Sequence, residues 1–261
     1  MSTLSTLARY WSSALASEAE YRANFVLSAV ASLLGVAGSL FTLGVLYQNG
    51  HELGGWSWPE AMLVVAVYTL LDGVQQAVLG PNRAAFTQLV REGTLDYALL
   101  KPIDAQVHLS LRKLSIWGFP NLALGLGLVV YAGRRLEPAA TISDFALAAV
   151  PVALAVAILY ALGFVLATCT IWFTKTDNIT IAMQALLESG RFPVSAYTPG
   201  YRFVFTFVVP AAFMTTVPAA TLARGPSWGW LLGSALVACG LLAFSRWFWG
   251  FALRSYTSAS S

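Results

Sequence analysis

The chain has 261 residues, of which 57% are hydrophobic and 10% are charged, and its formal net charge is +3. Soluble domains carry about 25% charged residues, so this composition excludes an ordinary soluble enzyme and indicates an integral membrane protein. The 15 Lys and Arg residues form no continuous basic stripe, and we therefore expect no nucleic-acid partner.

The first predicted element is an amphipathic helix within residues 1–22. Leu4, Leu7, Trp11 and Leu15 recur at helical spacing, while polar residues face the other way. Such a helix either lies in the plane of the membrane interface or packs as a solvated helix on a cytosolic loop. We expect the interfacial position, because Trp11 is a residue type that favours the interface.

Six apolar windows are candidates for membrane-spanning helices, because about 20 apolar residues are needed to cross the hydrocarbon core. The windows are residues 25–47, 61–80, 114–132, 145–174, 203–223 and 225–245. They predict an all-α integral membrane protein with six transmembrane helices, forming a single transmembrane domain over residues 1–261.

The fifth span has two possible positions. In one version, residues 178–191 form a cytosolic helix and residues 203–223 cross the membrane. In the other, residues 178–194 form the span, and residues 192–224 contain a re-entrant element that dips into the outer leaflet and returns. Pro210 and Pro218 would interrupt a plain span, which favours the second version.

The distribution of basic residues predicts the orientation. Five of them lie between the second and third spans: Arg83, Arg91, Lys101, Arg112 and Lys113. The segment between the first and second spans, residues 48–58, has none, although Arg134 and Arg135 lie in the next loop on that side. The positive-inside rule then places both termini in the cytosol.

Residues 84–113 form the predicted cytosolic loop, and its centre is typical of a short helix. Gly93 is expected to end whatever precedes it, and Thr94 to cap the new helix. Asp96 would lie in the first turn, where the helix dipole favours an anion, and Pro102 would end the element after about two turns. The apolar face of this helix is expected to comprise Leu95, Ala98 and Leu99.

A helix this short is not stable alone, so it needs a surface on which to dock. That surface is either a partner protein or the inner face of the chain's own helix bundle. We expect a partner. The contact residues would be Gly93, Thr94, Leu95, Asp96, Ala98, Leu99, Leu100, Lys101 and Pro102.

Two motifs together produce a family resemblance. The first is the Gly-x-apolar-Asp sequence at residues 93–96, followed by Leu-Lys-Pro at residues 100–102. The second is Arg-Phe-Pro-Val-Ser-Ala-Tyr at residues 191–197, followed by Pro210 and Pro218 before the last span. Over nearly its whole length the chain resembles the permease subunits of type-two ABC exporters, in the branch of uncharacterised ABC transport-system permeases.

The resemblance implies a homodimer or heterodimer of permeases in a bacterial inner membrane, with cytosolic ABC ATPase subunits beneath it. Residues 93–102 would be the coupling helix that receives the movement of the ATPase. The chain has no Gly-x-x-x-x-Gly-Lys-(Ser/Thr) phosphate loop, so ATP and Mg²⁺ would bind the partner. We therefore expect no catalytic, cofactor or metal site here. ATP-driven export is implied by the family alone. The substrate is unidentified, and an apolar, aromatic-rich interior would suit an amphipathic one.

Polar residues within the second span are candidates for a translocation path. Tyr68, Asp72, Gln75 and Gln76 have the spacing i, i+4, i+7 and i+8, which predicts one stripe on a helix. A charge at the bilayer centre costs about 2.5–3.5 kcal/mol, so Asp72 should face protein or water. The stripe could line the path or form structural hydrogen bonds between spans.

Glu188 and Arg191 are three residues apart and can pair on one helix face. They could form an outer gate, or they could simply neutralise each other as a local ion pair. The alternative function is an ion-coupled secondary transporter that uses Asp72 and Glu188 as protonation sites.

Overall fold

The computed structural model describes residues 22–48, 53–173 and 177–256. Every regular element within these ranges is helical, and five of the helices are long and apolar enough to cross a membrane. This confirms the predicted all-α membrane fold. The predicted interfacial helix of residues 1–22 lies outside the described residues, except for Arg22 at its end.

The helices follow one another in chain order, with short 3₁₀ turns and three π turns between them. The α-helices are α1 (Arg22–Gln48), α2 (Trp58–Val74), α3 (Gly80–Arg91), α4 (Asp96–Leu99), α5 (Ala105–Leu111), α6 (Phe119–Arg134), α7 (Ile142–Thr168), α8 (Asp177–Glu188), α9 (Pro199–Phe203), α10 (Val217–Arg224) and α11 (Trp228–Leu253). The π turns are Gln75–Leu79, Val204–Val208 and Ala212–Thr216.

The second span is longer than the hydropathy window predicts. α2, the first π turn and α3 form one continuous helix, Trp58–Arg91, of 34 residues. The predicted loop of residues 84–113 therefore begins with helix, which corrects its N-terminal boundary. Pro81 has no N–H to donate, and the wider turn just before it lets the helix continue past this residue.

Each of the three π turns ends two residues before a proline. The prolines are Pro81, Pro210 and Pro218. At Pro210 the helix breaks, because Val209 adopts an extended conformation. At Pro218 the helix continues into α10, so the prediction that both Pro210 and Pro218 interrupt the segment is right only for Pro210.

Glycines allow α2 and α6 to approach each other closely. A Cβ atom at Gly73 would lie 2.6 Å from the backbone nitrogen of Leu122. A Cβ atom at Gly125 would lie 2.6 Å from the backbone nitrogen of Leu70. Small residues of this kind let membrane helices pack backbone against backbone.

The two ends of the bundle are distinguished by the contacts near the ends of α11. Before its N-terminus, Arg224 pairs with Glu60 at the start of α2, with 2.7 Å between Nε and Oε1. We call this the outer end, because it carries residues 53–57 of the loop that the charge pattern places outside. At the opposite, inner end, the ring of Trp172 packs 5.7 Å from that of Phe248.

The chain passes from the inner end to the outer end between Trp172 and Ser195. The hydroxyl of Ser195 accepts a hydrogen bond from Nε1 of Trp56 in the outer loop, at 2.8 Å. α8 lies within this passage. Its 12 residues rise about 18 Å, so the helix alone is shorter than a hydrocarbon core of about 30 Å.

Residues 199–224 form a pair of helices that meet at an angle of 79°. Near the start of the pair, Arg202 donates to the carbonyl oxygen of Ser195 at 2.7 Å. At its end, Arg224 donates to the carbonyl oxygen of Gly55, also at 2.7 Å. Both ends therefore lie at the outer end of the bundle, which is the arrangement of a re-entrant element and not of a plain span.

Candidate functional site

Asp72 is held between two helices by amide groups. Its Oδ2 atom accepts hydrogen bonds from Gln76 Nε2 at 2.8 Å and from Asn121 Nδ2 at 2.7 Å. Asn121 lies in the first turn of α6 and was not predicted as a site residue. The signal for it in the sequence is a single amide at the start of an otherwise apolar span, and only the close packing of α2 and α6 makes it a partner of Asp72.

Arg191, in the segment that leads from α8 to the outer end, contacts a side chain of α2. Its Nη2 atom donates to the hydroxyl of Tyr68 at 2.9 Å and to Oε1 of Glu188 at 3.2 Å. The guanidinium carbon also lies 4.9 Å from the centre of the Tyr68 ring. The predicted pairing of Glu188 with Arg191 is present, and the contact with Tyr68 adds a connection across 123 positions in sequence.

These residues line a cavity of about 190 Å³ on the side of α1. We call Tyr68, Asp72, Gln76, Asn121 and Arg191 the polar cluster. The facing wall of the cavity is supplied by small α1 residues, including Ser28, Ser32, Gly35 and Ser39. The cavity thus offers hydroxyl, amide and charged groups next to an otherwise apolar bundle.

Gln75 does not belong to this stripe, which corrects the prediction. Its side chain is buried, and with its amide oxygen directed at Arg83 it accepts from both terminal guanidinium nitrogens, at 2.6 and 2.8 Å. The bonds to Arg83 hold the Gln75 side chain away from the cavity, whose described lining does not include Gln75. The structure brings Tyr68, Asp72 and Gln76 together and separates Gln75 from them.

Gly93 ends α3 as predicted. Its φ angle is +65°, a conformation that favours glycine. The amide of Gly93 donates to the carbonyl of Val90, and the amide of Thr94 donates to the carbonyl of Leu89. These two bonds form the Schellman arrangement that commonly closes a helix.

The helix that follows differs from the prediction in length and in its cap. α4 has one turn, Asp96–Leu99, where two turns were expected. The N-cap position of α4 is occupied by Leu95. Thr94 does not cap the helix through its side chain, and its buried Oγ1 has no hydrogen-bond partner among the described residues. Asp96 does lie in the first turn, as predicted.

The apolar face of α4 packs on the chain's own bundle, so the predicted docking face is wrong. Leu95 and Ala98 are buried in a cluster at the inner end, and Leu99 packs partly against it. The other buried members of this cluster are Phe86, Leu109, Phe164, Ala167 and Trp249. The apolar side chains that the helix exposes are Tyr97 and, directly after it, Leu100, which are 73% and 80% exposed. Lys101 and Pro102 are exposed as well.

α5 attaches this loop to the long helices. Asp104 caps α5 by accepting from the amide of Val107 at 3.0 Å, and it forms an ion pair with Arg246 of α11, at 2.6 Å. The hydrogen bond from Arg246 holds the pKa of the Asp104 carboxyl below its usual value. Gln106 donates to the hydroxyl of Ser245, at 2.9 Å. The contacts of Asp104 with Arg246 and of Gln106 with Ser245 were not foreseen, because they join positions about 140 residues apart.

Comparison with known proteins adds one finding to this geometry. A family model described as ABC-2 family transporter protein matches residues 33–260. No curated protein and no solved structure matches the chain. The matched region covers the long helices, the loop with α4 and α5, and the re-entrant pair. The chain therefore belongs to the ABC-2 family of transporter proteins.

Proposed function

We propose that the chain is the membrane-spanning permease subunit of an ATP-driven exporter, and that a separate cytosolic ABC ATPase hydrolyses the ATP. The family supports a permease role, since the membrane subunits of ABC-2 transporters are normally non-catalytic. In this proposal the chain lies in a bacterial inner membrane with both termini in the cytosol. It acts as a homodimer or heterodimer, and its substrate is an amphipathic molecule.

The observation that carries the proposal is the exposure of Tyr97 and Leu100 on an anchored loop. Leu95 and Ala98 fix α4 to the inner end of the bundle, so α4 is a rigid part of the membrane domain. The exposed Tyr97 and Leu100 then present an apolar surface on the side away from the bundle. A surface of this kind, ordered before binding, suits a partner that must push on the loop.

The contacts of α5 supply a route for that push. A displacement of the loop would act on α11 through Asp104 and Arg246, and on α7 through the bond between Gln106 and the hydroxyl of Tyr160, at 3.2 Å. It would act on α2 through α3, which continues from it without a break. In the proposed mechanism these helices switch between inward-open and outward-open arrangements.

The polar cluster is the proposed lining of the translocation path. Its cavity lies beside α1, and a second permease subunit facing this side would enlarge it. The ion-coupled alternative has less support, because Asp72 already accepts two amide bonds and Glu188 is paired with Arg191.

The experiment is quantitative recovery of an ABC ATPase with the tagged chain after mild-detergent purification from its own host. Leu100→Asp should reduce the recovered ATPase at least about tenfold per permease. Burying a leucine stabilises an interface by about 1.5–3 kcal/mol, and an aspartate in its place would add a desolvation cost. The ATPase is identified by mass spectrometry from peptides that contain its phosphate loop.

Ile142→Asp is the matched control. Ile142 is 89% exposed at the first position of α7, at the outer end of the bundle, so the same change there should leave ATPase recovery unchanged. Equal recovery from the wild type and from Leu100→Asp would contradict the proposed docking surface. Absence of any ABC ATPase, even after crosslinking in intact membranes, would contradict the proposed function itself.

A further inference from the structure

A second cavity, of about 330 Å³, lies at the outer end of the bundle. It is enclosed by the outer loop, both arms of the re-entrant pair and the start of α11. Its volume is within the range of about 300–1,000 Å³ found for small-molecule sites. It shares no lining residue with the cavity of the polar cluster among the described residues.

Two arginines line this outer cavity, and they differ in how far their charge is balanced. The guanidinium group of Arg224 binds both carboxylate oxygens of Glu60, at 2.7 and 2.9 Å. Arg202 instead donates to the backbone carbonyl of Ser195, and it forms no ion pair with any described residue. The described residues that line the cavity include no Asp or Glu. The described lining therefore carries an excess positive charge, centred on Arg202.

The walls around this charge combine aromatic and small apolar side chains with hydroxyl groups. Trp56 is fixed by the hydrogen bond from its indole to Ser195 and by the bond that its carbonyl oxygen accepts from Tyr47, at 2.6 Å. The guanidinium of Arg224 stacks 4.6 Å above the Trp56 ring. Trp230 forms a second aromatic wall. A ligand that fits this lining has an anionic group for Arg202 and an apolar body for the two indoles.

We propose that the outer cavity binds an amphipathic anion, whose phosphate or carboxylate group pairs with Arg202 while its apolar part lies between Trp56 and Trp230. Arginine suits this role because its planar donors match the oxygens of a phosphate or carboxylate. Tryptophan suits it because the outer end lies at the membrane interface, where indoles contact both apolar chains and polar head groups. This site needs no ATPase, so its failure would leave the proposed permease function untouched.

The test is a calorimetric titration of decyl phosphate into the purified chain in phosphatidylcholine nanodiscs. The heat measured with empty nanodiscs is subtracted. Decyl phosphate should bind, and the uncharged decyl maltoside should not. Arg202→Gln should weaken the binding of decyl phosphate about tenfold or more, since it removes a charge-assisted hydrogen bond. Arg134→Gln removes the same charge from an exposed position at the end of α6, also at the outer end, and should leave the binding of decyl phosphate unchanged.

A second variant tests the cavity while keeping both arginines. Ala220→Trp places an indole in the cavity, so it should abolish binding of decyl phosphate. Repeating the titration in nanodiscs that contain phosphatidylglycerol identifies the natural source of the anion. Competition by this lipid supports the site as a lipid head-group site, and undiminished binding supports it as a site for a free amphiphile.

Three results would overturn the proposal. One is wild-type affinity in Arg202→Gln. Another is an equal loss of affinity in Arg134→Gln, which would indicate non-specific attraction to the charge of the outer surface. The third is undiminished binding in Ala220→Trp, which would place the anion outside the cavity.

Discussion

Asp72 depends on partners from two different helices for its hydrogen bonds. Gln76 lies one turn further along the same helix, whereas Asn121 belongs to α6. The carboxylate of Asp72 is half-buried, so removing a donor costs part of its desolvation penalty as well as the bond itself. The amide of Asn121 is therefore expected to stabilise the fold as well as the proposed path.

We predict that Asn121→Ala lowers the free energy of unfolding by about 1–3 kcal/mol, because a hydrogen bond to the half-buried, charged carboxylate of Asp72 is lost. The measurement is unfolding by SDS titration in detergent micelles. Gln88→Ala is the matched control. Gln88 is also an amide that donates to a carboxylate, that of Glu92 at 2.7 Å, but this pair lies on the exposed surface, so its loss should cost less. Equal effects of the two variants would contradict the structural role of Asn121.

His108 makes the stability of the loop depend on pH. It is buried, and its Nε2 atom is 3.1 Å from Nζ of Lys101; because an ammonium group can only donate, this nitrogen must accept. Burial, followed by the positive charges of Lys101 and Arg112, lowers the pKa of His108 below its usual value of 6.5. The neutral ring is thus the form that fits the folded loop.

We predict that the stability contributed by neutral His108 is fully present above about pH 6.5 and is lost as the pH falls below it, since the unfolded state then binds the proton more readily. Hydrogen exchange of residues 95–111, corrected for intrinsic rates, should show weaker protection at about pH 5.5 than at about pH 7.5. His108→Gln should remove most of this difference. If the pH dependence of protection is unchanged in His108→Gln, a group other than His108 causes it.

At the scale of the elements, the contact between α2 and α6 leaves no space for side chains at its glycines. We predict that Gly125→Ala destabilises the protein by about 1–3 kcal/mol, because its Cβ atom would lie 2.7 Å from the Cα atom of Leu70. Gly127 is the control on the same helix, with no atom within 4 Å of the Cβ position. Gly127→Ala should leave stability unchanged or raise it by at most about 1 kcal/mol. The measurement is thermal unfolding followed by tryptophan fluorescence, and equal midpoints for the two variants would contradict the close packing.

The number and approximate positions of the long helices were the part of the fold most open to prediction. Transfer of apolar side chains from water dominates their energetics, and a sum along the sequence captures that term. The same sum does not register that a helix can continue past Pro81, because this depends on the backbone geometry of the π turn. The hydropathy sum therefore placed the end of the second span at residue 80, whereas the helix in the structure continues to Arg91.

The candidate sites were open to prediction only where a short separation in sequence determined them. The pairing of Glu188 with Arg191 follows from their spacing. The bond between Asp72 and Asn121 joins positions 49 residues apart, and it depends on how two helices pack. The orientation of α4 was misjudged for a related reason: Leu95 and Ala98 form an apolar face, but only the position of the bundle shows that this face points inward.

For the whole molecule, the unbroken helix from Trp58 to Arg91 has a mechanical consequence. Its 34 residues rise about 51 Å, well beyond a hydrocarbon core of about 30 Å. One arm of this rod ends at Gly93 and the loop, and the other carries Tyr68 and Asp72 along the cavity beside α1. In the proposed mechanism, a force on the loop would therefore tilt this helix as a rigid rod, and a small tilt would widen or narrow the cavity while the loop keeps its own shape.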